Sequence, residues 1–149
     1  MHYEHSQSGV LALPLFVGLT VVLLGAIALS DAGSSGLVWM AIFLAFVGLV
    51  LFAFNRLTVS VDDEAVVVRF QFGWPARRFE LAEIHRVDVV QNKWWYGYGI
   101  RLTPQGWMYN VWGLDAVQLN MSEGKSFRIG TDEPEALAAA LRPLVGTGG

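Results

Sequence analysis

The stretch FAFNRLTVSVDDEAVVVRFQF, residues 52–72, changes its hydropathy period within a few positions. Phe52 and Phe54 end an apolar run that has no polar face. From Leu57 the period is two, with Leu57, Val59 and Val61 on one side and Thr58 and Ser60 on the other. The acidic turn DDE reverses the chain. Val66, Val68, Phe70 and Phe72 then alternate with Val67, Arg69 and Gln71. An unbroken apolar run suits a helix in lipid, and alternation suits a strand with one wet face. The chain therefore divides near Asn55 into a membrane part and a water-soluble part.

Upstream, VLALPLFVGLTVVLLGAIAL (residues 10–29) and LVWMAIFLAFVGLVLFAF (residues 37–54) carry no charge. At 1.5 Å rise, about 20 residues span a hydrocarbon core. The link SDAGSSG is short and rich in turn formers, so a two-helix transmembrane hairpin over residues 10–54 is expected. Pro14 falls in the first turns, where its missing N–H does least harm. A cleaved signal peptide is the competing reading, because Ala26-Ile27-Ala28 has the form of a cleavage site. Against it, residues 1–9 contain no Lys or Arg and the apolar run exceeds the usual signal core. Those nine residues read as an N-terminal tail, with His2 and His5 disordered or interfacial. Gly18, Gly25 and Gly48 read as ordinary membrane glycines.

All ten Lys and Arg lie at or after Arg56, while the inter-helix loop carries Asp31. The positive-inside rule then places both termini in the cytoplasm. Neither span holds an ionisable residue, which favours an anchor over a transporter.

Downstream, the 149-residue chain has 54% hydrophobic and 15% charged residues, with the apolar excess before residue 55. The remainder reads as seven or eight antiparallel strands over residues 56–142. TDEPEALAAALRP closes them as a C-terminal helix, with Asp132 as N-cap and Leu137, Ala140, Leu141 and Leu144 on one face. Val117, Leu119, Phe127 and Ile129 are expected to point inward. Residues 143–149 read as a disordered tail. The soluble part is expected to fold without the membrane segment.

RLTVSVDDEAVVVRF, FELAEIHRVDV and GKSFRIGTDEPEALAAAL, in this order, resemble the bacterial PH-like domains, membrane-associated families in which one or two helices precede a PH-like barrel. The resemblance spans roughly residues 56–141. WYGYGIR followed by GWMYNVWG looks like a hallmark of an uncharacterised two-helix membrane subfamily. It implies a PH-like antiparallel β-barrel or sandwich in the bacterial inner membrane, acting as a non-enzymatic interaction or assembly module. The implied partners are membrane lipids and a second copy or another membrane protein. Fold likeness alone assigns no ligand.

Little points to catalysis. A net charge of -3 offers no basic face for nucleic acid. With no cysteine and three histidines, a metal or other cofactor is not expected. On a strict strand His85 and Asp88 would face opposite sides, and no nucleophile–base pair is evident on adjacent strands. The DDE carboxylates suit a solvated turn better than a cation site. Arg77 and Arg78 read as edge-strand charges or as lipid-headgroup contacts.

NKWWYGYG, residues 92–99, poses the sharpest question. If the strands run up and down, its turn lies at the membrane end, with GWPA and WGLD. Trp74, Arg77, Lys93, Trp94, Trp95, Tyr96 and Trp112 then form a membrane-surface or partner contact, since Trp and Tyr favour the headgroup layer. Trp107 falls at the far end. The other reading places these rings in the core under the terminal helix. A lipid or small-ligand reader using this aromatic end is the second functional reading, and an enzyme of unknown reaction the third.

Overall fold

The computed structural model describes residues 3–10, 12–31 and 33–145. β1 (Tyr3–Ser8) runs into α1 (Ala12–Ala28), and α2 (Ser34–Ala53) returns to β2 (Arg56–Val61). β3 (Ala65–Phe70), β4 (Ala76–Glu80), β5 (Ile84–Gln91), β6 (Gly99–Thr103), β7 (Gly106–Asn110), β8 (Asp115–Met121) and β9 (Ser126–Gly130) follow, and α3 (Pro134–Leu141) closes the fold. The first sheet has the order β1-β2-β3-β4, the second β5-β8-β9-β7-β6.

The expected N-terminal tail is a strand. β1 pairs antiparallel with β2 from Tyr3↔Val61 to Ser8↔Arg56. The Ser6 and Thr58 hydroxyls bond across the pair at 2.7 Å, and buried Gln7 donates from Nε2 to the Trp112 carbonyl at 2.8 Å. His5 Nε2 lies 2.6 Å from Asp132 Oδ1, tying β1 to the approach to α3. His2 lies outside the described residues. Nothing local announces β1. YEHSQS has one aromatic and no apolar alternation, and its partner lies about fifty residues on. The hairpin therefore leaves and re-enters the domain through two paired strands, and the Gly9 N–H closes its base on the Asn55 carbonyl at 2.7 Å.

α2 is long and apolar enough to cross a membrane; α1, at 17 residues, is shorter. Both sit slightly inside or ahead of the expected spans, because Ser34, Ser35 and Gly36 join the first turn of α2. Among their described residues only Leu44 is buried. Gly18 and Gly25 face open space, but a Cβ on Gly48 would lie 2.8 Å from the Phe16 ring. Gly48 thus lies against α1 and is not an incidental glycine.

The core lies between the sheets. Val59, Val66 and Val68 face Val117, Leu119 and Ile129, as the alternation requires, and Leu137, Ala138 and Leu141 of α3 cover it. Ala138 takes the place expected for Ala140. Glu133, not Asp132, caps α3, where its N–H donates to Thr131 Oγ1 at 3.1 Å and Pro134 begins the helix. Leu144 and Val145 pack on the core, so residues 143–145 are not a loose tail; residues 146–149 lie outside the described residues. In the DDE turn Asp62 Oδ1 accepts from the Glu64 and Ala65 N–H groups at 2.9 and 2.8 Å, which accounts for the reversal. Phe72 leaves the alternation and stands exposed, 5.7 Å from Phe52 of α2.

No closed antiparallel barrel forms among the described residues; there are two open sheets with nine strands. β7 runs parallel to β9, with Met108↔Arg128 in register. β5 pairs with β8, and a bulge between Ile84 and Arg86 interrupts its alternation. Because β5 and β6 occupy opposite edges, the segment joining them must cross β8, β9 and β7. Four strand spacings of about 4.8 Å make roughly 19 Å, which the connecting residues reach with little slack.

Candidate functional site at the hairpin end of the domain

Strand directions place three connections at the end where the hairpin leaves. They are the β3–β4 turn, the β5–β6 crossing and the β7–β8 turn. Phe54 meets Phe70 edge-on at 4.8 Å, and Gly9 abuts the Val111 carbonyl. The far end carries the β6–β7 turn, with Trp107 just after it.

NKWWYGYG is the crossing segment, a strap over the outer face of the second sheet. Its start is held by a polar relay. Buried Asn92 accepts at Oδ1 from Arg128 Nη1 at 3.0 Å, and Arg128 Nε donates to Gln118 Oε1 at 2.9 Å. Gln118 donates to Asn120 at 2.8 Å, and Asn120 to Asp88 at 2.8 Å. Met108 lies beside Arg128 on this face, fully buried yet outside the core cluster, as a covering strap requires. At the strap's middle Tyr96 donates its hydroxyl to Gln105 Oε1 at 3.3 Å. Gly97 and Gly99, with φ of 74° and 90°, return the chain into β6 through conformations that other residues adopt only under strain.

Arg128 is nearly buried, and its charge is shared among neutral amide oxygens. Arg128→Met removes both donors and leaves the Asn92 and Gln118 oxygens without partners. An orphaned buried acceptor costs about 1–3 kcal/mol. The variant should lose stability in that range. Amide exchange should accelerate across residues 92–98 more than in β2 and β3, as hydrogen-exchange mass spectrometry would read. Uniform acceleration would mean that the relay does not hold the strap.

The residues singled out from the sequence fall into separate groups. Trp94 and Trp95 stand on the strap, 77% and 60% exposed, with their rings edge-to-face at 5.8 Å and Lys93 Nζ 5.1 Å above Trp95. They are not core. Trp74 is exposed on the β3–β4 turn of the other sheet, and Arg77 is exposed on β4. Arg78 beside it is engaged by Glu80 and Glu64 at 2.9 and 3.7 Å, whereas Arg77 has no carboxylate partner among the described residues. Trp112 is half-buried and stacks on Tyr98, centroids 5.8 Å apart and planes 15° apart.

Beside that stack opens a crevice of about 780 Å³. Ala12 and Leu15 of α1, Val50 and Leu51 of α2, and Phe54 just after it form one wall. The other runs from Gly97 to Arg101, with Val111 and Trp112. Arg101 donates from Nε to the Tyr98 carbonyl at 2.8 Å and has no carboxylate partner among the described residues. Asn55 also lines the crevice, and its Oδ1 is buried without a donor. Arg101, Tyr98 and Asn55 escape sequence reasoning because the two walls lie more than forty residues apart along the chain. No local spacing joins them.

At the far end His85 Nε2 lies 2.9 Å from Ser122 Oγ. Ser122 belongs to the turn after β8, so the contact is not one between two adjacent strands. The bulge also leaves His85, Arg86 and Asp88 all off the core side, not His85 and Asp88 on opposite faces. The pair is exposed, and Asp88 engages Arg86 and Asn120 rather than His85. A base oriented by a third group is therefore not formed there. No protein-family model matches this chain, and none of the curated proteins compared with it matches in sequence.

Proposed function

We propose that the protein is a non-enzymatic, membrane-anchored module of the bacterial PH-like type, recruiting a protein partner or a second copy at the cytoplasmic face. The observation that carries this reading is the hairpin. α1 and α2 are apolar on every side and, among their described residues, bury one side chain against the rest of the molecule. Large rings and aliphatic chains such as Trp39, Phe43, Phe46 and Leu15 stand exposed along both. Water around such a surface is costly at about 25 cal/mol per Å² of apolar area, and lipid removes that cost. With its flanking apolar residues α1 approaches the length of a span, so the chain passes twice. Every Lys and Arg then lies on one side, which the positive-inside rule makes the cytoplasm.

An introduced cysteine reports cleanly in a chain that has none. Asp31→Cys, in the inter-helix loop, should react with an impermeant thiol reagent in intact bacteria. Lys125→Cys, at the far end of the domain, should react only after permeabilisation. The opposite pattern would invert the orientation, and recovery of the intact chain in the soluble fraction would remove the anchor. Mass measurement in mild detergent distinguishes a self-associating module from one that needs a different partner.

The second reading, a lipid or small-ligand reader, is favoured by the crevice between hairpin and domain. Its size falls within the roughly 300–1,000 Å³ typical of ligand sites.

A further inference from the structure

We infer that the crevice beside the hairpin takes one acyl chain of an anionic phospholipid, whose phosphodiester rests on the Arg101 guanidinium. The inference builds on the membrane-anchor reading and names the ligand class of the second reading.

Three observations converge on this occupant. The first is continuity. Leu15 and Val50 line the crevice and also belong to the exposed apolar surface of the hairpin. A chain lying against α1 and α2 in the bilayer thus enters without crossing water. The second is level. The hairpin wall comes from the first turn of α1 and the last turn of α2, and the opposite wall ends at Arg101. The crevice therefore bridges the depth where acyl chain gives way to headgroup. Tyr98 and Trp112 stand at the same depth, where amphipathic rings are favoured.

The third is charge. The Nε bond to the Tyr98 carbonyl orients Arg101, and no carboxylate occupies its terminal nitrogens among the described residues. Gly97 packs against it. A Cβ there would lie 3.4 Å from Nε and 3.6 Å from Nη2, in ordinary contact with the guanidinium. A planar guanidinium presents paired N–H groups that match two phosphate oxygens, and beside an apolar crevice such a bond is stronger than in water. A zwitterionic lipid offers the same phosphate but brings a cation next to Arg101. Phosphatidylglycerol brings none, so it is the preferred lipid.

The test uses the full chain purified in mild detergent, after flotation with membranes has established that it is embedded. Phosphatidylglycerol, phosphatidylethanolamine and phosphatidylcholine are added in equal amounts, and retained lipid is read by native mass spectrometry. Phosphatidylglycerol should be retained about tenfold over either zwitterionic lipid, because only the zwitterionic headgroups set a cation beside Arg101; tenfold corresponds to about 1.4 kcal/mol. Arg101→Gln should abolish the preference, and Arg77→Gln, an exposed arginine away from the crevice, should leave it intact. Leu15→Trp fills the crevice and should lower retention of all three lipids while Arg101 is unchanged. Equal retention of the three lipids by the unaltered chain would overturn the inference. So would an equal loss of preference in Arg77→Gln, which would point to diffuse surface charge, or a lipid-free dimer that covers the crevice. Each of these leaves the anchor reading standing. Failure to float with membranes would remove both.

Discussion

A chain beginning at Asn55, lacking β1 and the hairpin, is expected to lose on the order of half its stability and to aggregate. β2 would become a sheet edge with Leu57, Val59 and Val61 along it, an invitation to pair with other chains. The six-residue pairing of β1 would be gone, the Trp112 carbonyl would lose its donor from Gln7, and α3 would lose its tie to His5. Each net hydrogen bond is worth about 0.5–1.5 kcal/mol, against a total of about 5–15 kcal/mol for a domain. Tyr3 adds a pH-dependent part. Burial first, then Glu133 at its hydroxyl, pushes its pKa up from 10.0 to about 12. Because the folded value is raised, that contribution is present below pH 10 and fades as the pH rises through 12.

The control follows from the closed base of the hairpin. The Gly9 N–H donates to the Asn55 carbonyl, so the two strand ends are adjacent. Joining Gly9 to Asn55 through the dipeptide Asn-Gly, which suits tight hairpins, keeps β1 and removes both helices. That joined chain should melt cooperatively in urea, with dispersed amide signals, while the chain beginning at Asn55 should not. Equal unfolding curves would show that β1 adds nothing and that the domain is complete from Arg56.

Gly106→Ala should be among the most damaging single methyls in the domain. Gly106 has φ of 128°, and a Cβ there would run into the Ser126 carbonyl on β9. The obstacle is backbone in a parallel pair, which no rotamer change relieves. Conformational strain of about 1–3 kcal/mol adds to the collision, for an expected loss of about 3 kcal/mol or more. Gly113→Ala is the reference. Its φ is 76°, but a Cβ would meet nothing within 4 Å, so strain alone applies, about 1 kcal/mol. Denaturant midpoints in mild detergent separate the two. Equal shifts would mean that β7 moves freely against β9 and that the β7–β9 pairing adds little.

The amino-acid sequence by itself determined every element whose signal is local. The two apolar runs, the β2–β3 hairpin around DDE, the inward faces of β8 and β9 and the amphipathic end helix all follow from periodicity, because burial on one side imposes it. Tertiary structure alone decided the partners. β1 carries no pattern of its own and becomes a strand because β2 offers an edge across the hairpin. β7 takes a parallel neighbour because the β8–β9 hairpin docks between β5 and β7, a choice no local window contains. That exchange sends β5 and β6 to opposite edges and turns NKWWYGYG from a loop at a barrel end into a strap across a sheet. The crevice and Arg101 belong to the same class. Their walls meet only after the hairpin and the second sheet have packed, and pairing between distant segments leaves no period in the residues that make it.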